Sequence, residues 1–168
     1  MKSIEINKQT KYTLELIFSE ADKMAVQILK SISETRNKSF VLFALISSLF
    51  SFSFIKFTEN QYDYSLLLVG SLIGCLFLRK NLFPQKISFN GALPENMINS
   101  YFDDFKGESL EKEYLATQIQ SYNSAMSDNR KEMSKMVNRF KKSVLTILVT
   151  FITFGIIFLF RFVECLPT

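Results

Sequence analysis

The sequence predicts an all-α membrane protein: three transmembrane helices joined to a cytoplasmic helical module of coiled-coil type. Three observations carry this. Three apolar segments have spanning length, a heptad pattern runs through polar sequence ahead of the last of them, and Lys and Arg are distributed unevenly along the chain. The apolar segments are residues 39–57, 62–78 and 143–163, about a third of the 168 residues, and they hold most of the 18 phenylalanines. At about 1.5 Å per helical residue they reach roughly 28, 26 and 32 Å, close to the ~30 Å hydrocarbon thickness of a bilayer. The organisation read from this is a cytoplasmic amphipathic helix at 1–38 and a hairpin at 39–80 with spans 39–57 and 62–78. A cytoplasmic loop and helical segment follows at 81–142, then a third span and short outer tail at 143–168.

Topology follows from the cations, because basic residues beside a span resist translocation. Residues 1–38 carry seven Lys/Arg and residues 79–142 carry eleven, whereas the connection at 58–61 carries none. The N-terminus and the long connection are expected inside, with the 58–61 turn and the C-terminus outside. The first apolar run starts too far from Met1 for a cleaved signal peptide. The net charge of +4 reflects this topology; no interleaving of aromatic and basic residues points to nucleic acid.

The absence of histidine removes the commonest general base and metal ligand. Cys75 and Cys165 lack CxxC spacing and read as packing residues. Asp103, Asp104, Glu111 and Glu113 read as helix-terminal charges, and no phosphate cradle of the GxxxxGK type occurs. The expectation is therefore a protein that is not an enzyme, with no catalytic residue, cofactor or metal.

Along the chain, Leu14, Ile17, Ala21, Met24 and Ile28, widened by Phe18, Ala25 and Ile32, form the apolar stripe of a helix from about residue 13. Neither Gly nor Pro interrupts it, so one helix is expected from 13 to 57. Thr58-Glu59-Asn60-Gln61 reverses the chain, and Arg79-Lys80 stops the second span. Pro84 and Asn90-Gly91 mark an irregular loop with a brief extended piece at Lys86–Phe89. Pro94 opens a short helix to Phe105, with Met97, Ile98, Tyr101, Phe102 and Phe105 on one face; Lys106-Gly107 ends it. From Ser109, Leu115, Ile119, Tyr122, Met126, Asn129, Met133, Met136 and Phe140 alternate by fours and threes, a heptad seam leading into a single helix from 109 to 163. A shift in that seam would be carried into the third span, since Gly155 is the first hinge-type residue.

Four groups of residues are candidates for function. Ile119, Tyr122, Met126, Asn129, Met133 and Phe140 form a seam that packs on the N-terminal helix of the same chain, joins neighbouring subunits, or does both; Asn129 would set its register. Gly70 and Gly74 form a GxxxG, and with Ser48, Ser51 and Thr150 they are assigned to packing between spans, the hydroxyls bonding to carbonyls one turn back. Lys56 and Arg161, near the outer ends of spans, either reach the headgroups or form a positive outer pore mouth in a ring. Arg130, Lys131, Lys135, Arg139, Lys141 and Lys142 precede the third span and suit anionic lipid or an acidic ligand, besides enforcing topology.

Glu20-Ala21-Asp22-Lys23 before the first span, and Tyr122…Asn129-Arg130-Lys131…Phe140-Lys141-Lys142-Ser143 before the third, give the chain a layout that resembles small membrane effectors of bacterial anti-phage systems. These are the SLATT-type proteins and the membrane effectors of Pycsar. The resemblance covers the plan of most of the chain and implies an oligomeric inner-membrane protein that perturbs or permeabilises the membrane once a nucleotide signal or protein partner triggers it. The alternative is a non-conducting anchor or sensor subunit that presents its cytoplasmic helices to a protein partner.

Overall fold

A computed structural model describes residues 9–83, 87–88 and 100–164. Among them every regular element is helical: α1 (Lys11–Thr58), a 3-10 turn at Tyr62–Tyr64, α2 (Ser65–Leu82), a second 3-10 turn at Ser100–Asp104, and α3 (Glu108–Glu164). All three α-helices are long and apolar enough to cross a membrane.

The helix ends follow local chemistry. α1 begins two residues earlier than its apolar stripe suggests because Thr10 caps it, its Oγ1 accepting the Thr13 N–H at 3.2 Å. It ends in a Schellman motif: Gln61 N–H bonds to the Lys56 carbonyl, Asn60 N–H bonds to that of Phe57, and Asn60 takes the left-handed conformation at φ 63°. α2 continues through Arg79-Lys80, both good helix formers, and stops where Phe83, extended at ψ 153°, precedes Pro84. α3 starts after Gly107, whose φ of 59° suits glycine. Ser100–Asp104 is 3-10 rather than α-helical; residues 94–99 of the expected short helix, with Met97 and Ile98, lie outside the described residues, as do Asn90-Gly91 and the C-terminal tail.

Burial along the two long helices repeats every seven residues. On α1 the buried positions are Leu14, Ala21 and Ile28, with Ala25, Ile32, Ser39, Ile46 and Ser53 on the companion row. On α3 they include Ile119 and Met126, with Asn129, Met136, Ser143 and Thr150. This is the 3.5-residue period of supercoiled helices, and it continues from polar into apolar sequence. It also corrects the expected stripe: Ile17 and Met24 are 40% and 42% exposed, because a strict heptad row turns them away from the partner that Leu14 and Ala21 meet.

The chain packs as two units, Met1–Ser31 with Lys86–Met133 and Ile32–Gln85 with Ser134–Thr168. Packing thus divides each long helix at Ile32 and Ser134, a few residues before the composition changes at 39 and 143. In the first, polar unit, α1 meets α3 edge to face at Phe18 and Tyr122, whose ring centroids are 5.3 Å apart, and Lys11 pairs with Glu111 at 2.5 Å.

The second, apolar unit buries small and polar residues beside a few large apolar ones. Its buried positions include Ser39, Ser53, Gly70, Ser71, Gly74, Asn81, Ser143 and Thr150 together with Ile32, Ile46, Leu67, Leu78 and Met136, while Val41, Leu45, Phe52, Leu76, Leu145 and Phe151 face outward. In the most apolar window of each helix only 11%, 33% and 11% of residues are buried. A surface of large apolar side chains over an interior rich in small and hydroxylated ones is the arrangement expected of helices packed in lipid.

Lys11 and Tyr122 are among the groups of the polar unit whose protons are held more tightly than usual, as is Tyr101 through its hydrogen bond to Glu113. Lys11 is raised by its hydrogen bond and charge interaction with Glu111; Tyr122 is raised first by burial, then by its hydrogen bond to Asp22. Both contributions are complete below the ordinary titration range and are lost as pH rises through the raised values. Phenolate absorbance should show Tyr122 ionising later than a free tyrosine, with the α1–α3 contact of this unit weakening over the same alkaline interval.

Candidate functional site

In the apolar unit α2 and α3 approach closely at two glycines. A methyl group at Gly70 would stand 2.2 Å from Thr150 Oγ1 and 2.8 Å from its Cβ, so only glycine fits there. One turn on, Gly74 faces Ile147 and Ile46, where an added carbon would sit 3.1 and 3.3 Å from their terminal methyls. Its carbonyl accepts a hydrogen bond from Ser143 Oγ at 2.9 Å. The GxxxG therefore serves packing within one chain, and Thr150, of the hydroxyl residues assigned to packing, joins it. Ser48 and Ser51 do not. They are exposed, and their hydroxyls bond back to the carbonyls of Ala44 and Ser47 at 3.0 Å.

At one end of this unit Asn81 ties the three helices together. Its side chain is fully buried, with Nδ2 donating to Ser39 Oγ at 3.1 Å and to the Met136 carbonyl at 3.0 Å. Oδ1 accepts from Arg139 Nη1 at 3.5 Å, and the Ser39 hydroxyl donates to the Thr35 carbonyl at 2.8 Å. An amide with both donors and its acceptor engaged can be buried without penalty; with any partner removed it could not.

At the opposite end the two cations assigned to an outer mouth each have an acid: Lys56 bonds to Glu59 at 2.7 Å and Arg161 pairs with Asp63. These pairs balance in charge. Tyr64 lies between Phe52 and Phe154, at centroid distances of 5.7 and 5.4 Å, so aromatic contact joins the α1–α2 connection to α3 beside them.

In the polar unit the seam residues Ile119, Met126 and Asn129 are buried and Tyr122 and Met133 half-buried; Phe140, in the apolar unit, is half-buried. Asn129 has a partner that spacing does not reveal. Its amide forms two reciprocal hydrogen bonds with the backbone of Ser88, Ser88 N–H to Oδ1 and Nδ2–H to the Ser88 carbonyl, both 2.9 Å. Ile87 and Ser88 are the described part of the expected extended piece, so its backbone pairs with a side chain. Tyr122 Oη donates to Asp22 at 3.2 Å. Tyr101 Oη donates to Glu113 at 2.5 Å, and its ring packs on Phe102 and Phe105. A cleft of about 510 Å³ lies beside these, lined by Lys11, Glu15, Phe102, Glu111, Tyr114 and Leu115.

The basic candidates Arg130, Lys131, Lys135, Lys141 and Lys142 are exposed, and Arg139 is half-buried against Asn81. Among the described residues no cluster of three or more potential ligands could hold a metal ion. Residues missed in the sequence are Asn81, Ser39, Ser53, Ser143 and Asp63. The heptad step to Ser39 and Ser53 through Ile32 and Ile46, and to Ser143 through Met136, could have found three of them.

Gly70→Ala should destabilise the protein by about 1–3 kcal/mol through overpacking, more than Gly74→Ala, and Thr150→Gly should restore the double variant; thermal unfolding in detergent measures both. Asn129→Asp sets a carboxylate oxygen against the Ser88 carbonyl and loses a donor. Hydrogen exchange at the Ser88 amide should accelerate, with about 1–3 kcal/mol of stability lost. Comparison with protein-family models, curated proteins and solved structures finds no match for this chain.

Proposed function

We propose that this chain is an oligomeric protein of the bacterial inner membrane that perturbs or permeabilises that membrane when triggered, in anti-phage defence. Its N-terminus and the 81–142 segment lie in the cytoplasm and its C-terminus outside. The apolar surface of the second unit, with aliphatic and phenylalanine side chains exposed over an interior that holds serines, glycines and an asparagine, is the observation that carries the reading. The defence role rests on the layout shared with small anti-phage effectors.

Assembly is supported by what one chain leaves uncovered. The bundle centre at Gly70 and Thr150 is closed by contact, so a conducting path would have to form between copies. Ser48, Ser51 and Thr153 remain on outward faces among exposed phenylalanines, and Ile17 and Met24, one heptad apart, are open in the polar unit. A nucleotide signal or a protein partner would act on the polar unit, where the cleft at Lys11 and Tyr114 lies.

One observation favours the non-conducting anchor or sensor. Asn129, the polar seam residue best suited to set register between subunits, is satisfied by Ser88 of its own chain. Liposome reconstitution separates the two readings. The effector should release trapped ions or dye in step with its oligomeric state, whereas tight vesicles bearing demonstrably oligomeric, triggered protein would leave the anchor.

A further inference from the structure

Asn81 fixes a level in the apolar unit, because it touches α1 at Ser39 and α3 at Met136 and Arg139. Around that level all three helices present cations: Arg36 and Lys38 on α1, Arg79 and Lys80 on α2, and Lys135, Arg139, Lys141 and Lys142 on α3. Seven of these side chains are exposed and Arg139 is half-buried. Within the same stretches of the unit, residues 32–45, 75–83 and 134–145, Glu34 is the only acid.

The cations also stand at a border. Next along α1 come Phe40, Val41 and Leu45, next along α3 come Val144 and Leu145, and Leu76 precedes Arg79 on α2; Val41, Leu45 and Leu145 are 62–64% exposed. Each helix therefore passes within about one turn from a charged surface to a bare apolar one. We propose that this three-helix belt is a binding site for anionic phospholipids, their acyl chains lying on the exposed aliphatic faces and their phosphates ringed by these cations. The proposal rests on the membrane reading above and joins to the α3 cations those of α1 and α2 and the apolar faces beside them. A soluble acidic partner would use the charges but leave the adjoining apolar faces uncovered; a phospholipid answers both. Helix axes in contact lie about 8–10 Å apart, so cations from neighbouring helices can share a headgroup.

The test uses the full chain in phosphatidylcholine vesicles containing spin-labelled phosphatidylglycerol or spin-labelled phosphatidylcholine, reading the protein-immobilised fraction of each label. The expected result is preference for the phosphatidylglycerol label. It should fall by about fivefold or more in Arg36→Gln/Lys38→Gln/Lys141→Gln/Lys142→Gln, residues whose removal leaves Asn81 its partners. It should persist in Lys23→Gln/Lys30→Gln/Lys106→Gln/Lys112→Gln, which removes the same charge from the polar unit. Equal immobilisation of the two labels, equal loss in both variants, or displacement by soluble glycerophosphate overturns the site. Failure to float with vesicles of any composition overturns the membrane reading itself; flotation and insertion without lipid preference overturns only the belt.

Discussion

The contact of α2 with α3 at Gly70 and Thr150 is the constraint on which the apolar unit depends. Because glycine presents no side chain there, Thr150 can sit against the α2 backbone, and one turn further the Gly74 carbonyl comes within reach of Ser143. Small residues at helix contacts are useful where the surroundings are as apolar as the side chains, because burial of hydrocarbon then supplies little drive and dispersion plus hydrogen bonding must hold the helices. Three buried hydroxyls in this unit follow the same logic: Ser39, Ser53 and Thr150 bond to the carbonyls one turn back, so each of these protons has an acceptor.

Polar side chains close the two units in different ways. In the apolar unit Asn81 engages a hydroxyl, a carbonyl and a guanidinium from two other helices, a set that only one mutual placement of the three satisfies. In the polar unit Asn129 acts on a single stretch of backbone, pairing with both groups of Ser88 as a neighbouring strand would. Both amides specify geometry more than they add stability, since a buried amide gives back little when satisfied and costs much when misplaced.

The proposed effector and the proposed lipid belt draw on different residues of the same helices. Assembly would use the outward hydroxyls of α1 and α3 and the open apolar positions of the polar unit; lipid would be held around the Asn81 level, beside the polar face of the bundle. Between them the heptad rows of α1 and α3 continue without a Pro, and in α3 the first glycine is Gly155.

Composition and spacing alone determined the helical class, three apolar stretches of spanning length, the turn at Asn60, and the heptad row through Met126 and Asn129, because each depends on local periodicity or on a residue's own backbone preference. The sequence also pointed to Gly70, Gly74 and Thr150 as packing residues between spans, but did not pair Gly70 with Thr150 or Gly74 with Ile147. Tertiary structure decided that Ile17 and Met24 face away from the seam, that Ser48 and Ser51 lie outside while Ser39, Ser53 and Ser143 lie inside, and that Lys56 and Arg161 each meet an acid. These outcomes turn on which side of a helix faces a neighbour, and a small polar residue has no composition signal for that choice. Asn81 is the clearest case: nothing in the residues around it distinguishes a surface amide from a clamp until three helices bring Ser39, Met136 and Arg139 to one point.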